Sequence, residues 1–497
     1  MTSSGRDRLL AFLLALAAFG GYAGFLSRAY VFEGLVRAMP IETGRWAHLF
    51  AGNYLLYGPL GLTFHALLQA AGFQHLAVTS LQILDAVLGS AGIFLFYRIL
   101  RRLGGDVFSS AAWTAVLGFS LGYWLWSTDA ENYILSTLLL MTDFYFLVRL
   151  ARGEKVDPVV LGALHGLAIL GHIMNVVFGA VALWFLACAY GRAWRRPVGR
   201  YAAAATAVPL CAYAAVLAFV QKPATVQEAL IWFIGSAGDR HGSITFGGGL
   251  SAAKFWEWIK MSLHIVGSFQ PAYPHPPAWT IAPAALAAAW VLLGFFGVGF
   301  LVRFRRVLRD ERAVAGGCLI WLAAYACVFT RWQPWTMVYR VSDLIPVSVL
   351  LFLAYQQVQA VRRYARPAVA ALALCLGIGN LGAEIYPRSF ASNNPHLARM
   401  AFLKARTAEG DWIAGIGGLD EMYIPTFAQR RPLVIGRYAG EPARLAALIK
   451  NLLAKKQNIF ITSRILEDDS WKAFFSLYSL WLNARDDSGF ALYQVRR

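Results

Sequence analysis

The chain has 497 residues, 58% of them hydrophobic and 14% charged, a balance that excludes an ordinary soluble domain and a disordered one. Its formal net charge of +18 would suit a nucleic-acid binder. Most of the excess, however, lies between apolar runs of ~20 residues, where basic residues set membrane topology, so no nucleic acid is expected as a partner.

Arg6 and Arg8 precede the first apolar run, 9–27, and mark the cytoplasmic start of an uncleaved first span. The polar interval Ser27–Gly61 then falls outside. It holds Glu33 and Glu42, Arg28, Arg37 and Arg45, and His48, with aromatic residues between them. The next apolar stretch, 54–72, is broken by Gly58, Pro59, Gly61 and His65. It reads as an interfacial or re-entrant helix on the outer face, because Arg98, Arg101 and Arg102 lie inside only if 54–103 makes one net crossing. Spans follow at 79–100, 107–126 and 133–150, then two short helices within 158–190, then 201–220, 278–302, 313–330, 341–360 and 367–385. The arginine clusters after 150, 190, 302 and 360 all then share the cytoplasmic face. The expectation is a polytopic α-helical membrane protein of about 11 spans in an inner (plasma) membrane, with its N-terminus cytoplasmic. All five cysteines stand in apolar segments, so neither a disulfide framework nor a zinc site is implied.

From about Arg388 the hydropathy falls. A helix at 396–408, strands at D-W-I-A-G-I-G-G, P-L-V-I-G, N-I-F-I-T-S and F-A-L-Y-Q-V, and an amphipathic helix at 441–456 predict a small extracytoplasmic α/β domain with a mostly parallel sheet. The domains expected are therefore 1–387 and 388–497. G-I-G-G lacks the spacing and the following acid of a dinucleotide site, and its glycines read as turn formers.

The polar density of the membrane part gathers on the outer face. Besides Glu33 and Glu42, the turn W-L-W-S-T-D-A-E-N-Y brings Asp129 and Glu131, and the loop 221–276 brings Asp239, Arg240 and His241. The turn 331–340 adds Arg331, Tyr339 and Arg340. Carboxylates can act as bases, and the arginine fork donates paired hydrogen bonds to a phosphate, so these loops suit a phosphate-linked substrate. His172 and Asn175 fall near the outer end of a helix pair, where a bond to a neighbouring helix competes with a role in orienting substrate. Asp85 and Asp143 lie inside spans, where ionisable groups are costly; Asp85 is near the outer end and joins the candidates, and Asp143 is expected to face a polar partner.

These motifs together resemble a known family. F-E-G-L-V-R-A-M-P-I-E-T-G (32–44), N-Y-L-L-Y-G-P-L-G (53–61), D-A-E-N-Y (129–133) and G-L-A-I-L-G-H-I-M-N (166–175) look like the GT-C superfamily of polyprenyl-phosphate-dependent glycosyltransferases, nearest to its protein O-mannosyltransferase branch and bacterial relatives. The resemblance implies an inverting transfer of a sugar from a polyprenyl-phosphate carrier to a glycan, lipid or protein acceptor at the outer face of the membrane. Glu33 matches the family's first-loop catalytic carboxylate, usually an Asp, and Glu42 shares the loop. Arg37, Arg45, His48 and Tyr57 would join the residues above in binding substrate. Gly52 and Asn53 stand where members often have His-Pro. No cofactor is specified, and a divalent metal stays open. The competing classes are a polytopic transporter or lipid flippase, against which stand the lack of an internal repeat and of paired broken helices, and an inert scaffold presenting the C-terminal domain.

Overall fold

The computed structural model describes residues 3–234, 249, 251–269, 280–357 and 362–496. The chain forms two compact units, Met1–Ser27 with Pro40–Ser389, and Arg28–Met39 with Phe390–Arg497. Residues 28–39, expected with the membrane part, thus group with the C-terminal residues.

The first unit is a helical bundle. It comprises α1 (Ser3–Gly24), the end of α2 (Phe32–Glu42), α3 (Tyr57–Ala70), α4 (Ala77–Arg102), α5 (Val107–Phe119), α6 (Leu121–Ser127), α7 (Tyr133–Ala151) and α8 (Pro158–Gly171). It continues through α9 (Gly179–Tyr190), α10 (Arg195–Val216), α11 (Val226–Ile234), α12 (Ala252–His264), α13 (Ile281–Asp310), α14 (Arg312–Trp332), α15 (Leu344–Gln356) and α16 (Arg362–Asn380). Among the described residues nine helical segments have the length and apolarity to cross a membrane: α1, α4, α7, α10, α13, α14 and those containing α9, α15 and α16. The chain is a multi-pass membrane protein.

The other two of the eleven expected spans are the shorter helices α5 and α8. The 107–126 stretch fails to be one helix because Ser120 is extended, at φ −62° and ψ 139°. The amides this break frees are bonded elsewhere, Leu121 N to Val266 O at 3.1 Å and Gly122 N to Ile265 O at 2.7 Å. Asn380 Nδ2 donates to the freed Phe119 O at 2.8 Å. Broken helices survive at membrane depth only when protein groups take over the backbone bonds in this way. The approach is so close that a Cβ on Gly122 would lie 2.1 Å from Ile265 Cγ1. At 14 residues, or ~21 Å, α3 is shorter than the ~30 Å hydrocarbon core.

Aromatic side chains fill the bundle core. Phe144, Phe178 and Trp321 meet edge to face at centroid distances of 5.6 and 4.7 Å. At the basic end of the bundle, turns are set by capping and positive-φ glycines. Asp106 accepts from Ser109 N at 3.0 Å, Asp157 accepts from Val159 N at 2.9 Å, and Gly104 and Gly153 take φ of +89° and +79°. Ion pairs tie the helices together there: Arg101–Asp7 at 2.8 Å, Arg149–Glu154 at 2.8 Å, Arg152–Glu311 at 2.9 Å, Arg200–Asp157 at 3.1 Å and Arg366–Asp106 at 3.3 Å.

The second unit is a five-stranded sheet with flanking helices, in the order β2-β1-β3-β5-β4. Its strands are β1 (Trp412–Gly415), β2 (Arg431–Val434), β3 (Ile459–Thr462), β4 (Ser479–Arg485) and β5 (Ala491–Arg496). The sheet is mixed rather than mostly parallel: β1 pairs in parallel with β2 and β3, while β5 runs antiparallel to both β3 and β4. The antiparallel edge was missed because β4 is an exposed edge strand and shows no burial alternation to read. Helices Pro395–Arg406 and Pro442–Ala454 lie close to their expected positions. Residues 28–39 join this unit through Tyr423 OH donating to Tyr30 O at 2.9 Å, Asn394 Nδ2 donating to Arg28 O at 2.7 Å, and Tyr30 packing on Phe427.

Candidate active site

The end of the bundle opposite the ion pairs buries its charges. Asp85, in the third turn of α4, is fully buried, and its Oδ2 accepts from Tyr57 OH at 2.6 Å and from Glu131 N at 2.7 Å. One carboxylate so fixes the start of α3, the side of α4 and the turn before α7. Gly58 permits the arrangement, since a Cβ there would lie 2.0 Å from Leu49 O. Asp129 is 1% exposed and accepts from Ala130 N at 2.9 Å. Burial pushes its pKa up to about 6, against the pull of the Ala130 N–H and the nearby Arg388 charge. A carboxylate tuned to that value can exchange a proton near neutrality.

Arg388 is a site residue that sequence reasoning missed. It binds Glu384 at 3.0 Å beyond a π-helical turn, Leu381–Ile385, and the four-residue spacing of Glu384 and Arg388 at the end of the last apolar run was the available signal.

Beside the acids lies an aromatic pocket. Tyr133 OH shares a hydrogen bond with Tyr54 OH at 3.1 Å, and its ring packs on His172 at 5.2 Å and Tyr339 at 5.4 Å. Asn175 braces the wall, donating to Ser136 Oγ at 2.8 Å and Ala168 O at 2.7 Å and accepting from Tyr325 OH at 2.8 Å. His172 accepts from Met174 N at 3.1 Å, so its Nδ1 caps the following turn. Both residues therefore brace helices and line the pocket. Its volume of about 20 Å³ admits a water-sized group, which suits one oxygen of a phosphate and not a whole sugar.

Arg340 sits in the turn Met337–Asp343 that leads into α15, fully buried, with its guanidinium 5.0 Å from the Phe329 ring centre and 5.6 Å from that of Trp258. Its Nη1 lies 3.7 Å from Asp343 Oδ2, beyond hydrogen-bond length, and none of its three nitrogens has a hydrogen-bond partner among the described residues. Buried guanidinium groups are rarely left so. Trp258 and Tyr325 come to this region without a sequence signal, because only folding brings α12 and α14 to the turn, whereas Asp343 stands in the turn itself, three residues after Arg340.

The remaining candidates are dispersed. Glu42 accepts from Ala77 N, which puts its carboxylate on the first turn of α4, a capping role that uses the helix dipole. Arg45 and His48 are exposed around the short turn Trp46–Leu49, and Arg331 is exposed at the end of α14. Glu33 and Arg37 belong to the second unit, where they lie 3.6 Å apart on successive turns of α2. Asp239, Arg240 and His241 lie outside the described residues. Asp143, expected to face a polar partner, is buried in α7 with neither oxygen hydrogen-bonded among the described residues. Among those residues no group of three His, Cys, Asp or Glu is placed to hold a metal ion.

Compared with solved structures, the chain is similar to two crystal structures of ArnT from Cupriavidus metallidurans, one bound to undecaprenyl phosphate and one in the apo state. The TM-scores are 0.64 and 0.63, with 13% identity in each case and 99% of this chain and 98% of the other covered. No protein-family model and no curated protein matches the sequence. The likeness is one of fold.

Proposed function

We propose that this chain is an inverting glycosyltransferase that moves a sugar from a polyprenyl-phosphate carrier to an acceptor at the extracytoplasmic face of the membrane. One observation carries the reading: a fully buried arginine that has no acid within hydrogen-bond length among the described residues, its nearest carboxylate being Asp343 at 3.7 Å, set among aromatic rings, on a fold shared end to end with a protein crystallised with undecaprenyl phosphate. Arg340 holds the phosphate of the carrier. An acceptor hydroxyl attacks the anomeric carbon, the bond from that carbon to the phosphate oxygen breaks, and the arginine stabilises the charge that develops on the departing phosphate. Asp85 orders the loops around the donor, and Asp129 and Arg388 set the local field. Glu33 takes the proton of the acceptor, an assignment that rests on its match to the family's first-loop carboxylate.

The arginine-rich helix ends support a cytoplasmic N-terminus and an extracytoplasmic second unit. In a chain cleared of its five cysteines, a cysteine at Ser389 should react with an impermeant thiol reagent in intact cells and one at Lys155 should not. The reverse pattern would place the acids on the wrong face.

The test of the activity is reconstitution in liposomes with polyprenyl-phosphate-linked sugars, reading release of the polyprenyl phosphate. Glu33→Gln keeps shape and removes basicity, so turnover should fall ~10²–10⁴-fold, the range for a lost general base. Glu42→Gln should stay close to the parent, since it disturbs a cap. Loss with Glu42→Gln alone would move the base to Glu42. The runner-up, a lipid flippase, draws on Asp143 inside a span, whose oxygens have no hydrogen bond among the described residues. Lipid scrambling without release of any carrier would favour it.

A further inference from the structure

At the basic end of the bundle, a cleft of about 250 Å³ opens between α13, the last turn of α15 and the first turns of α16. Its walls are apolar: Phe295, Val298, Gly299 and Val302 from α13, and the ring of Tyr355, whose hydroxyl is already bonded to Ser109 Oγ at 2.8 Å. Arg303 closes one side.

The position of that arginine is fixed by length. α13 has 30 residues, and its first 20, from Ile281 to Phe300, span ~30 Å, the full hydrocarbon thickness. Arg303 therefore stands at the head-group boundary, with Arg305 and Arg306 exposed just beyond it. Several arginines at this end are paired within the protein, among them Arg101, Arg149, Arg152, Arg200 and Arg366. Among the described residues no carboxylate lies within 4.0 Å of Arg303, Arg305 or Arg306, and the bond Arg303 makes is to its own helix, at Gly299 O, 3.3 Å away. An apolar slot beside a boundary arginine that lacks an acid is complementary to an acyl chain carrying an anionic head group.

We propose that this cleft binds an anionic glycerophospholipid, one acyl chain lying against Val298, Gly299 and Tyr355 and the phosphate held by Arg303. The site is separate from the donor pocket, at the other end of α15, and stands whether or not the transferase reading holds.

The test is native mass spectrometry of the full chain in detergent, after adding phosphatidylglycerol, phosphatidylcholine or diacylglycerol. The wild type should retain phosphatidylglycerol above the other two. Arg303→Gln should lower that retention ~5-fold, the effect of one basic residue on an anionic lipid. Gly299→Leu, which fills the slot, should lower it further, and both variants should melt as the parent does. Equal retention of phosphatidylglycerol and phosphatidylcholine, or of phosphatidylglycerol and diacylglycerol, would overturn the proposal. So would phosphatidylglycerol retention unchanged in either folded variant.

Discussion

The two ends of the helical bundle handle charge in opposite ways. At the basic end, carboxylates and arginines meet in partly exposed pairs, such as Arg200–Asp157, each side chain about half exposed. Water screens such pairs, and each contributes ~0.2–1 kcal/mol. At the other end Asp85, Asp129, Glu131, Arg340 and Asp343 are all at most 5% exposed. Withdrawing charges from water costs several kcal/mol per ion unless hydrogen bonds and partners replace it. Folding alone has no use for that expense, since apolar residues of similar size would serve as well or better. The proposed function gives the buried charges a use that the exposed pairs do not need.

The largest effect should come from breaking the buried end. Arg340→Lys keeps a positive charge and loses the planar fork. If the arginine holds the departing phosphate, release of carrier should fall ~10²–10³-fold, as when one preorganised donor is lost from a transition state. Arg366→Lys, at the paired and half-exposed end, should leave turnover unchanged. Unaltered turnover in a folded Arg340→Lys chain would remove this residue from the site.

A smaller effect concerns Asp129. Its carboxyl is raised by burial from 3.8 to about 6, so the folded state binds its proton more tightly than the unfolded state does. The stabilisation this gives is fully present below pH ~4 and is lost as the pH rises through about 6, a change of ~3 kcal/mol at most. Thermal melts between pH 4 and 7 should show the wild type losing stability relative to Asp129→Asn over that window. Parallel profiles would mean that the carboxylate is better solvated than its burial implies.

The sequence made these ends legible unequally. Arginine runs following apolar runs are a local signal, so the order of the helices and the short pair within 158–190 could be read from it. The break at Ser120 could not, because its amides are satisfied by residues 265 and 266, far along the chain. The same limit governs the site. Asp85, Asp129, Glu131, Tyr339 and Arg340 stand out as polar residues at span ends, whereas Trp258 and Tyr325 are ordinary members of their helices until packing brings Trp258 over Arg340 and Tyr325 into the wall of the aromatic pocket. Glu42 shows the converse. Its charge and loop position made it a candidate base, and the structure uses it at the N-terminus of α4.

The smallest expected effect sharpens the comparison from the exposed end. Arg200 and Asp157 are paired at 3.1 Å, but Asp157 also accepts from Val159 N at 2.9 Å and so caps α8. Two substitutions separate these roles. Arg200→Gln removes the pair alone and should cost no more than ~1 kcal/mol, because a half-exposed pair gains little over hydration. Asp157→Ala removes both, and should cost ~1 kcal/mol more through the lost cap, measured as a further fall in melting temperature. Neither should change turnover, since both groups lie at the end opposite Arg340. A cost above ~2 kcal/mol for Arg200→Gln, beyond what exposed pairs supply, would mean that this end is shielded from water as well, and the contrast between the two ends would then have to rest on partnering rather than on solvent.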